Sequence, residues 1–326
     1  MNSIIITGGS GFIGSNLVDY LLAEYPNQKI INVSKHTYAT NPRVLRHLEN
    51  NDRYQFVPLD INDTIAFHDL IQRENVMQIL HLGAETHVDR SFVYPRDFLT
   101  SNVVGTFSIL EALRHTSKEI RPRLLYMSTD EVFGDVPSPK LCTEEEMLLP
   151  RNPYSASKAS AEMYCNAYHY SYDLDIVIAR SMNNFGPRQH PEKLIGKIIT
   201  RCLTETPFTL FQGGSTRGWI YVKDTCRALK QIVNNGKSGE VYHIPPTAYR
   251  TVEEVMQTVL DITGKHHLFQ GYKGTRLKDD ERYALSGDKM MTELDWKPQE
   301  IFSDAMKKTI DWFSYNRWFW QHVESP

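Results

Sequence analysis

The sequence predicts an α/β protein with a doubly wound parallel β-sheet, followed by a smaller C-terminal α+β lobe. Two observations lead to this prediction. Short β-branched runs alternate with longer amphipathic segments through the first half of the chain, which is the βαβ rhythm of a sheet with helices on both faces. The length of 326 residues also exceeds what one hydrophobic core usually serves. We therefore expect one lobe from residues 1–185 and a second from residues 186–326, with segments of the second able to return to the first.

The individual elements follow from the local pattern. Six short apolar runs are predicted as strands that are buried on both faces, at residues 3–7, 29–33, 54–58, 77–82, 123–128 and 175–180. Apolar residues at helical spacing predict helices between them, at residues 12–24, 64–73, 96–115 and 153–172. Beyond residue 186 Pro and Gly become frequent, and further helices are expected near residues 192–204 and 252–263. The aromatic C-terminus, from Trp312 to Trp320, is expected to pack on the second lobe.

The composition excludes several functional classes. A net charge of -3 with 41% hydrophobic and 23% charged residues gives no electrostatic footprint for nucleic acid or an anionic membrane. The four cysteines show neither a C-x-x-C pair nor zinc-like spacing, so we expect a reducing compartment and no metal site. The chain starts with a strand and has no apolar run near the ~20 residues that span a bilayer. We therefore expect a cytoplasmic protein.

A glycine-rich turn follows the first predicted strand. The segment from Thr7 to Gly14 reads TGGSGFIG, with glycines at i, i+3 and i+6 between a strand and a helix. The first glycine permits a tight turn, the second lets the backbone approach a pyrophosphate, and the third lets helix and strand pack closely. A flexible Gly-rich loop would lack this strand-turn-helix context. The turn therefore predicts a Rossmann-type dinucleotide site at the start of the first helix.

The end of the second predicted strand bears on the choice between NAD and NADP. The acidic residue that commonly accepts the ribose 2′-OH about 20 residues after the turn is replaced by Ser34, which Lys35 follows. We favour NAD, but a serine beside a lysine tolerates a 2′-phosphate, so NADP stays open. Asp60 and Ile61 are placed to meet the adenine, although Asp60 or Asn62 could instead cap a helix.

Two further motifs indicate chemistry. Tyr154 and Lys158 stand four residues apart at the start of a predicted helix, which brings phenol and ammonium onto one face. A cation ~4 Å from a tyrosine stabilises its phenolate and lets it act as a base. The run from Ser128 to Gly134 reads STDEVFG; its two carboxylates can reach one ligand only from a turn beyond the strand's end. The alternatives are a packed tyrosine with a solvated lysine, and a solvated acidic turn.

These motifs, together with HLGAETHVDRS (81–91), RSMNNFGP (180–187), PEKLI (191–195) and RGWIYVKD (217–224), resemble the extended short-chain dehydrogenase/reductase family. Within this family they resemble the dTDP-glucose 4,6-dehydratase group, because the Asp-Glu pair is not found in the family's epimerases. The resemblance runs from Ser3 to about Trp312. It implies an enzyme that oxidises C4 of a nucleotide-bound hexose, eliminates water across C5 and C6, and returns the hydride to C6.

The resemblance also implies roles for single residues. Tyr154, assisted by Lys158 and Thr129, would take the proton from the 4-OH of the sugar. Glu131 would remove the C5 proton, and a protonated Asp130 would deliver a proton to the departing 6-OH, because neighbouring buried carboxyls can differ in pKa.

The resemblance places the remaining site residues in two sets. The expected cofactor-binding residues are Gly8, Gly11, Phe12, Ile13, Gly14, Ser34, Lys35, Thr37, Asp60, Ile61, Leu82, Ala84, Ser101, Ser128, Tyr154, Lys158 and Asn183. The expected substrate-binding residues are Thr86, Thr129, Asn183, Asn184, Lys193, Leu194, Arg217, Arg276 and Arg282, with the arginines on the phosphates. His87 is instead expected to be a satisfied polar residue at a strand end.

Several residues depart from the pattern of the dTDP-glucose enzymes. Gly218 replaces an aspartate, Met182 a small polar residue and Glu281 an arginine, while the segment 245–248 (PPTA) replaces a glycine pair and an asparagine. These departures leave the substrate open between dTDP-glucose and a UDP-sugar such as UDP-glucose or UDP-GlcNAc.

Two other functions remain to be distinguished from the dehydratase. A 4-epimerase or dehydrogenase on the same scaffold would leave the Asp-Glu pair without a role, and a non-catalytic dinucleotide-binding regulator would not need Tyr154 or Lys158. The helices predicted at 96–115 and 153–172 carry small and apolar residues on more than one face. Similar proteins pair these helices, so we expect a homodimer.

Overall fold

The computed structural model describes residues 1–35, 41, 43–212, 214–275 and 280–321. Its centre is a seven-stranded parallel sheet with the strand order β10-β6-β5-β4-β1-β2-β3. The strands of this sheet are β1 (Asn2–Thr7), β2 (Gln28–Val33), β3 (Tyr54–Val57), β4 (Val76–His81), β5 (Arg123–Thr129), β6 (Ile176–Ser181) and β10 (Val241–Ile244). The order reverses between β1 and β4, so the crevice at their carboxyl ends is the expected ligand site of such a sheet.

Helices cover both faces of the sheet. The helices of the first half are α1 (Phe12–Glu24), α2 (Thr64–Arg73), α3 (Val88–Val93), α4 (Pro95–Phe98), α5 (Gly105–His115) and α6 (Pro153–Tyr172). Neighbouring residues of one strand enter different cores: Ile4 and Ile6 pack with α1, whereas Ile5 packs with α2, α5 and α6. Because side chains alternate along a strand, this division confirms the doubly wound α/β fold that the sequence predicts.

The C-terminal half adds two small sheets. One has the order β11-β9-β7 and the other pairs β12 with β8; the bounds are β7 (Asn183–Phe185), β8 (Phe208–Gln212), β9 (Thr216–Tyr221), β11 (Ala248–Thr251) and β12 (Phe269–Thr275). Its helices are α7 (Leu194–Leu203), α8 (Val222–Asn235), α9 (Val252–Thr263), α10 (Asp288–Leu294), α11 (Phe302–Tyr315) and α12 (Arg317–Trp320). Strand β10 joins the main sheet beside β6, and α8 packs against α1. The division at residue 185 stays a prediction.

One predicted helix differs in the structure. Instead of a continuous helix over 96–115, a π-helical segment, Leu99–Val104, lies between α4 and α5. Asn102 of this segment is buried: its amide donates to Glu85 O at 3.0 Å and to Ser157 Oγ at 2.8 Å, and its Oδ1 accepts from Glu85 N at 2.8 Å. The wider turn therefore lets one side chain connect the loop after β4 to α6, and π-turns of this kind often lie at functional sites.

The aromatic C-terminus packs inward. Phe313, Phe319 and Trp320 are buried in the same core as α7 and α9, and Trp320 Nε1 donates to Phe313 O at 2.9 Å. The four cysteines are buried free thiols. Among the described residues, no helix has the length and apolar character needed to cross a bilayer.

Candidate active site

A cleft of about 1080 Å³ opens at the carboxyl ends of β1, β4 and β5 and extends between the two halves of the chain. Most residues that the sequence assigns to a site line it: Gly8, Gly11, Phe12, Ile13, Gly14, Ser34, Lys35, Asp60, Ile61, Leu82, Ala84, Thr86, Ser101, Ser128, Thr129, Glu131, Tyr154, Lys158, Asn183, Asn184, Lys193, Leu194 and Arg217. Two expected residues, Asp130 and Arg282, are not in the wall. Two more, Thr37 and Arg276, lie outside the described residues.

The glycine-rich turn leaves no room for side chains. Gly8 has a φ of +70°, and a Cβ on it would lie 2.8 Å from Gly83 Cα; a Cβ on Gly14 would lie 2.2 Å from Gly8 O. Helix α1 begins directly after Gly11, which has no side chain to cap it, so the amides of its first turn remain for a ligand. A dinucleotide pyrophosphate fits this turn, because it needs both the close backbone approach and the free amides.

A buried hydrogen-bond chain holds the loop after β4 against this turn. Thr7 Oγ1 accepts from Gly83 N at 3.1 Å and lies 2.6 Å from His81 Nδ1, while His81 Nε2 lies 3.0 Å from Thr106 Oγ1. Every hydrogen bond of this chain has one donor and one acceptor when the His81 ring proton is on Nε2. Thr7 Oγ1 then donates to Nδ1, and Nε2 donates to Thr106 Oγ1. Burial lowers the pKa of His81 to about 3, which keeps the ring neutral. Sequence reasoning did not find this chain, because its members are spread over four elements.

The end of β2 places a paired lysine at the cleft. Lys35 Nζ lies 2.8 Å from Asp60 Oδ2, and Asp60 Oδ1 accepts from Asn62 N at 3.1 Å. The alternative role of Asp60 or Asn62 as a helix cap is taken by Asp63, which accepts from Ala66 N at 3.0 Å. Asp60 therefore holds Lys35 and its own loop at the edge of the cleft.

Helix α6 positions the tyrosine and the lysine. Asn152 caps it, accepting from Ser155 N at 2.8 Å, and Tyr154 and Lys158 are both buried. Lys158 Nζ donates to Met127 O at 2.6 Å and lies 4.3 Å from the centroid of the Tyr126 ring. Burial lowers the pKa of Lys158 to about 8, although Glu162 acts in the opposite direction.

The electrostatic state of Tyr154 depends on its burial and on its neighbours. Burial and then the charge of Glu131 raise the pKa of Tyr154, while a hydrogen bond between its hydroxyl and Thr129 acts in the opposite direction. In this structure the Lys158 ammonium donates to the Met127 carbonyl, whereas the charges of Glu131 and Asp130 act on the phenol. The role of Tyr154 as a base assisted by Lys158 stays a prediction. A further positive charge at the cleft would be needed to make Tyr154 a base.

The Asp-Glu pair forms a 3₁₀ turn, Asp130–Phe133, beyond the end of β5. Thr129 Oγ1 donates to Asp130 Oδ1 at 3.1 Å and accepts from Glu131 N at 3.3 Å. Glu131 lines the cleft and accepts from Asn152 Nδ2 at 3.4 Å, whereas Asp130 is 2% exposed and lies behind the wall. Asp130 Oδ2 has no hydrogen-bond partner among the described residues. Burial and then Glu131 raise the pKa of Asp130 to about 7, as a proton donor near neutral pH requires.

The raised pKa of Asp130 predicts a pH-dependent stability. An unfolded aspartate has a pKa of about 3.9. Between pH ~4 and ~7 the native Asp130 therefore keeps a proton that the unfolded chain has lost. The free energy of unfolding consequently falls as the pH rises through this range. Asp130→Asn removes the ionisable group while keeping its shape. We expect the variant to gain on the order of 2–4 kcal/mol in unfolding free energy over the wild type at pH 8 and little at pH 4. Urea unfolding at both pH values measures this difference, and an equal change at both would contradict it.

Of the described residues that are expected to bind substrate, all but Arg282 line the cleft. Lys193 Nζ donates to Thr86 O at 3.1 Å, and Arg217 Nη2 donates to Asp280 O at 2.6 Å with its guanidinium 4.5 Å from the Tyr283 ring centroid. Arg282 instead donates to Lys140 O at 2.7 Å and Val136 O at 3.1 Å. Glu281 and Tyr283 line the cleft, so the residue between them points the other way. The structure therefore makes Arg282 an anchor of the 136–140 loop.

His87 caps α3, accepting from Arg90 N at 3.4 Å, and it also lines the cleft. Lys197, Lys273 and Phe211 are among the residues of the wall that were not identified from the sequence. Lys197 and Lys273 lie near each other, because burial and then Lys273 lower the pKa of Lys197; Lys273 Nζ also lies 5.1 Å from the Phe211 ring centroid. They come from three separate elements, so no local spacing indicates them.

The departures at Gly218, Met182 and Pro246 pack together. A Cβ on Gly218 would lie 2.2 Å from Met182 Sδ and 2.9 Å from Pro246 Cβ. Met182 is buried, and it lines the cleft beside Asn183. The three departures are therefore linked, since the large side chain at 182, which lines the cleft, leaves room only for glycine at 218.

This packing predicts coupled substitutions. Gly218→Asp should displace Met182 and destabilise the protein by about 1–3 kcal/mol, as overpacking of a core does. Met182→Ser in the same chain should recover at least half of this loss, because it vacates the space. A double-mutant cycle of unfolding free energies measures the coupling. Additive effects of the two substitutions would contradict it.

Comparison with known proteins identifies the family. Residues 5–309 match the model of the GDP-mannose 4,6 dehydratase family. The chain is 37% identical to an Escherichia coli dTDP-glucose 4,6-dehydratase, over 98% of this chain and 96% of that one. A solved dTDP-glucose 4,6-dehydratase from Streptomyces venezuelae, with NAD bound, is 36% identical with a TM-score of 0.90, covering 98% of this chain and 99% of that one.

An epimerase shares the fold at lower identity. A solved UDP-glucose 4-epimerase from Thermotoga maritima has a TM-score of 0.88 and is 26% identical, over 97% of this chain and all of that one. The identity to the dehydratases, 36–37%, is higher than the identity to the epimerase. The chain belongs to the GDP-mannose 4,6-dehydratase family, the nucleotide-sugar 4,6-dehydratases among the extended short-chain dehydrogenase/reductases.

Proposed function

We propose that the protein dehydrates dTDP-glucose to dTDP-4-keto-6-deoxyglucose with NAD as its cofactor. The observation that carries this proposal is the convergence of Tyr154, Thr129 and Glu131 on one cleft, with Asp130 directly behind them. A phenol and two carboxyl groups, one of them with a raised pKa, are the groups that alcohol oxidation followed by elimination needs. The dTDP-glucose dehydratases among the relatives support the choice of nucleotide and sugar.

The first half of the reaction depends on Tyr154. Its phenolate would accept the proton of the sugar 4-OH, and Thr129, which hydrogen-bonds the phenol, would hold the same oxygen. Lys158 would supply positive charge beneath them. NAD, when bound, supplies the hydride acceptor and the cationic ring that Tyr154 needs to lose its proton. Ser128 Oγ lines the cleft and has no partner among the described residues, so it is available to a ligand there.

The second half depends on the two carboxyl groups. The C4 ketone acidifies C5–H, and Glu131, oriented by Asn152, would remove this proton. Asp130, whose pKa of about 7 keeps much of it protonated at neutral pH, would give its proton to the departing 6-OH. Because the second oxygen of Asp130 is unpartnered, its carboxyl has an atom free for this transfer.

The cofactor assignment rests on the end of β2. The charge of Lys35 is paired with Asp60 at 2.8 Å, so it is not left to attract a 2′-phosphate. Ser34 leaves room for the ribose hydroxyl at the same edge. Acid release and mass analysis of the nucleotide bound to the purified protein tests this proposal, and recovery of NADP would reject it.

The substrate is tested by incubating the protein with dTDP-glucose, UDP-glucose and UDP-GlcNAc and weighing the products. We expect dTDP-glucose to lose the mass of one water at the highest kcat/KM. A higher kcat/KM with either UDP-sugar would reassign the substrate, and it would connect the Met182, Gly218 and Pro246 packing to the choice of nucleotide sugar. Epimerised product without loss of water would reject the dehydratase reaction.

We also propose a homodimer through α5 and α6. Phe107 on α5 and Met163, Tyr164 and Tyr172 on α6 are exposed although they are large and apolar. A second copy of the same surface would cover them with the symmetry usual for dimers. Light scattering at micromolar concentration measures the mass, and a monomer would reject this proposal.

A further inference from the structure

A buried ion pair lies behind the candidate active site. Arg180 on β6 and Glu162 on α6 are 3% and 0% exposed, and their side chains are joined by three hydrogen bonds of 3.1, 3.1 and 2.7 Å. Such a pair adds little to stability, because apolar residues of similar volume often stabilise a protein as well. A role in holding a defined geometry would explain its presence better.

Arg180 contacts the segment that carries the acid and the base. Its guanidinium lies 4.8 Å from the ring centroid of Phe133, the last residue of the 3₁₀ turn. It donates to Glu144 O at 3.1 Å and to His243 Nε2 at 3.3 Å. Its backbone pairs with Ser128, the residue before Thr129 on β5. One side chain therefore touches the turn, the loop that follows it and the neighbouring strand β10.

Glu162 connects Arg180 and its contacts to α6, the helix that carries Tyr154 and Lys158. It stands four residues after Lys158 and eight after Tyr154 on α6, and the three side chains therefore share one face. All three are buried. The only charged partner that the described residues offer the Glu162 carboxylate within ion-pair distance is Arg180, so the position of α6 is tied to that of the turn.

We propose that the Glu162–Arg180 pair is a positioning device for dehydration: it fixes the turn that carries Asp130 and Glu131 against the helix that carries Tyr154 and Lys158. The substrate must present C4 to Tyr154 and C5 to Glu131 in one bound pose. The pair sets the distance between these two groups without touching the substrate. This inference rests on the proposed dehydratase reaction.

Two variants test it. Arg180→Lys keeps the positive charge but loses the planar fork that binds both oxygens of a carboxylate. In a single turnover with dTDP-glucose, we expect reduced nicotinamide to form at nearly the wild-type rate and to disappear about 10- to 100-fold more slowly, because small misplacements of catalytic groups have effects of this size. The double variant Glu162→Leu with Arg180→Met removes both charges together, which folded proteins commonly tolerate, and it should show the same delay.

A second measurement, hydrogen exchange, is made on the protein without substrate. Hydrogen exchange of the peptide that covers residues 128–137 should be faster in both variants, because the turn loses its support. Asp224→Asn is the matched control: it breaks the buried end of the Asp224–Arg227 pair at 2.5 Å on α8, so it should lower stability and leave the nicotinamide transient unchanged.

The outcomes separate the two proposals. A wild-type protein that does not dehydrate dTDP-glucose rejects the proposed substrate. A wild type that dehydrates it, with variants whose transients match that of Asp224→Asn, overturns the positioning role and leaves the pair as a structural element. Equal slowing of formation and decay also overturns it, because the turn would then have no separate dependence on the pair.

Discussion

Replacement of Glu131 with Gln is expected to lower the steady-state turnover by roughly 10²–10⁴-fold, the usual contribution of a general base, while reduced nicotinamide accumulates. The reason is that Tyr154 and Glu131 act in different steps of the proposed reaction. Tyr154 still removes the 4-OH proton, but the amide at 131 cannot take the proton from C5, so the oxidised sugar cannot eliminate water. Absorbance of the reduced cofactor after mixing enzyme and substrate, followed by mass analysis of the products, measures both effects.

The matched control for this variant is Glu145→Gln. Glu145 is an exposed carboxylate in the loop after the 3₁₀ turn, and it does not line the cleft. The turnover of the Glu145→Gln variant should therefore equal that of the wild type. Unchanged turnover of Glu131→Gln itself would favour an epimerase or a dehydrogenase, in which the Asp-Glu turn has no chemical role.

Replacement of Tyr154 with Phe is expected to abolish the reaction one step earlier. The phenol is the group that accepts the 4-OH proton, so the variant should lose roughly 10²–10⁴-fold in kcat without accumulating reduced nicotinamide. Tyr170→Phe, on the same helix but 92% exposed, is the control that should keep full activity. Formation of reduced nicotinamide by Tyr154→Phe at the wild-type rate would contradict the proposed role.

Much of the fold could be predicted because local rules and packing agree. Helices α1, α2, α6 and α9 have the predicted bounds, since the glycine turn, caps and apolar spacing all indicate the same limits. The π-helical segment was not predictable from periodicity, because it arises from tertiary bonds of Asn102 to Glu85 and Ser157.

The site shows the same division between local and long-range information. The glycine turn, the Tyr154 and Lys158 spacing and the Asp-Glu turn could each be identified from neighbouring residues. Their pKa values could not, because burial lowers the pKa of Lys158, while burial and carboxylates of another element raise that of Tyr154. The direction of Arg282 likewise depends on the loop that it meets, and the contact of Met182 with Gly218 arises only when β7 pairs with β9.

The return of β10 to the main sheet makes the two halves of the chain interdependent. Without residues beyond 240, β6 would present a bare row of amides and carbonyls at the sheet margin, and a strand left open in this way invites association with other chains. The apolar residues of α1 that face α8 would be wetted at the same time. A fragment that contains only the glycine turn and the Tyr154 helix should therefore aggregate rather than fold into a small dinucleotide-binding domain. The residues for catalysis and those for substrate binding consequently depend on the same folded unit.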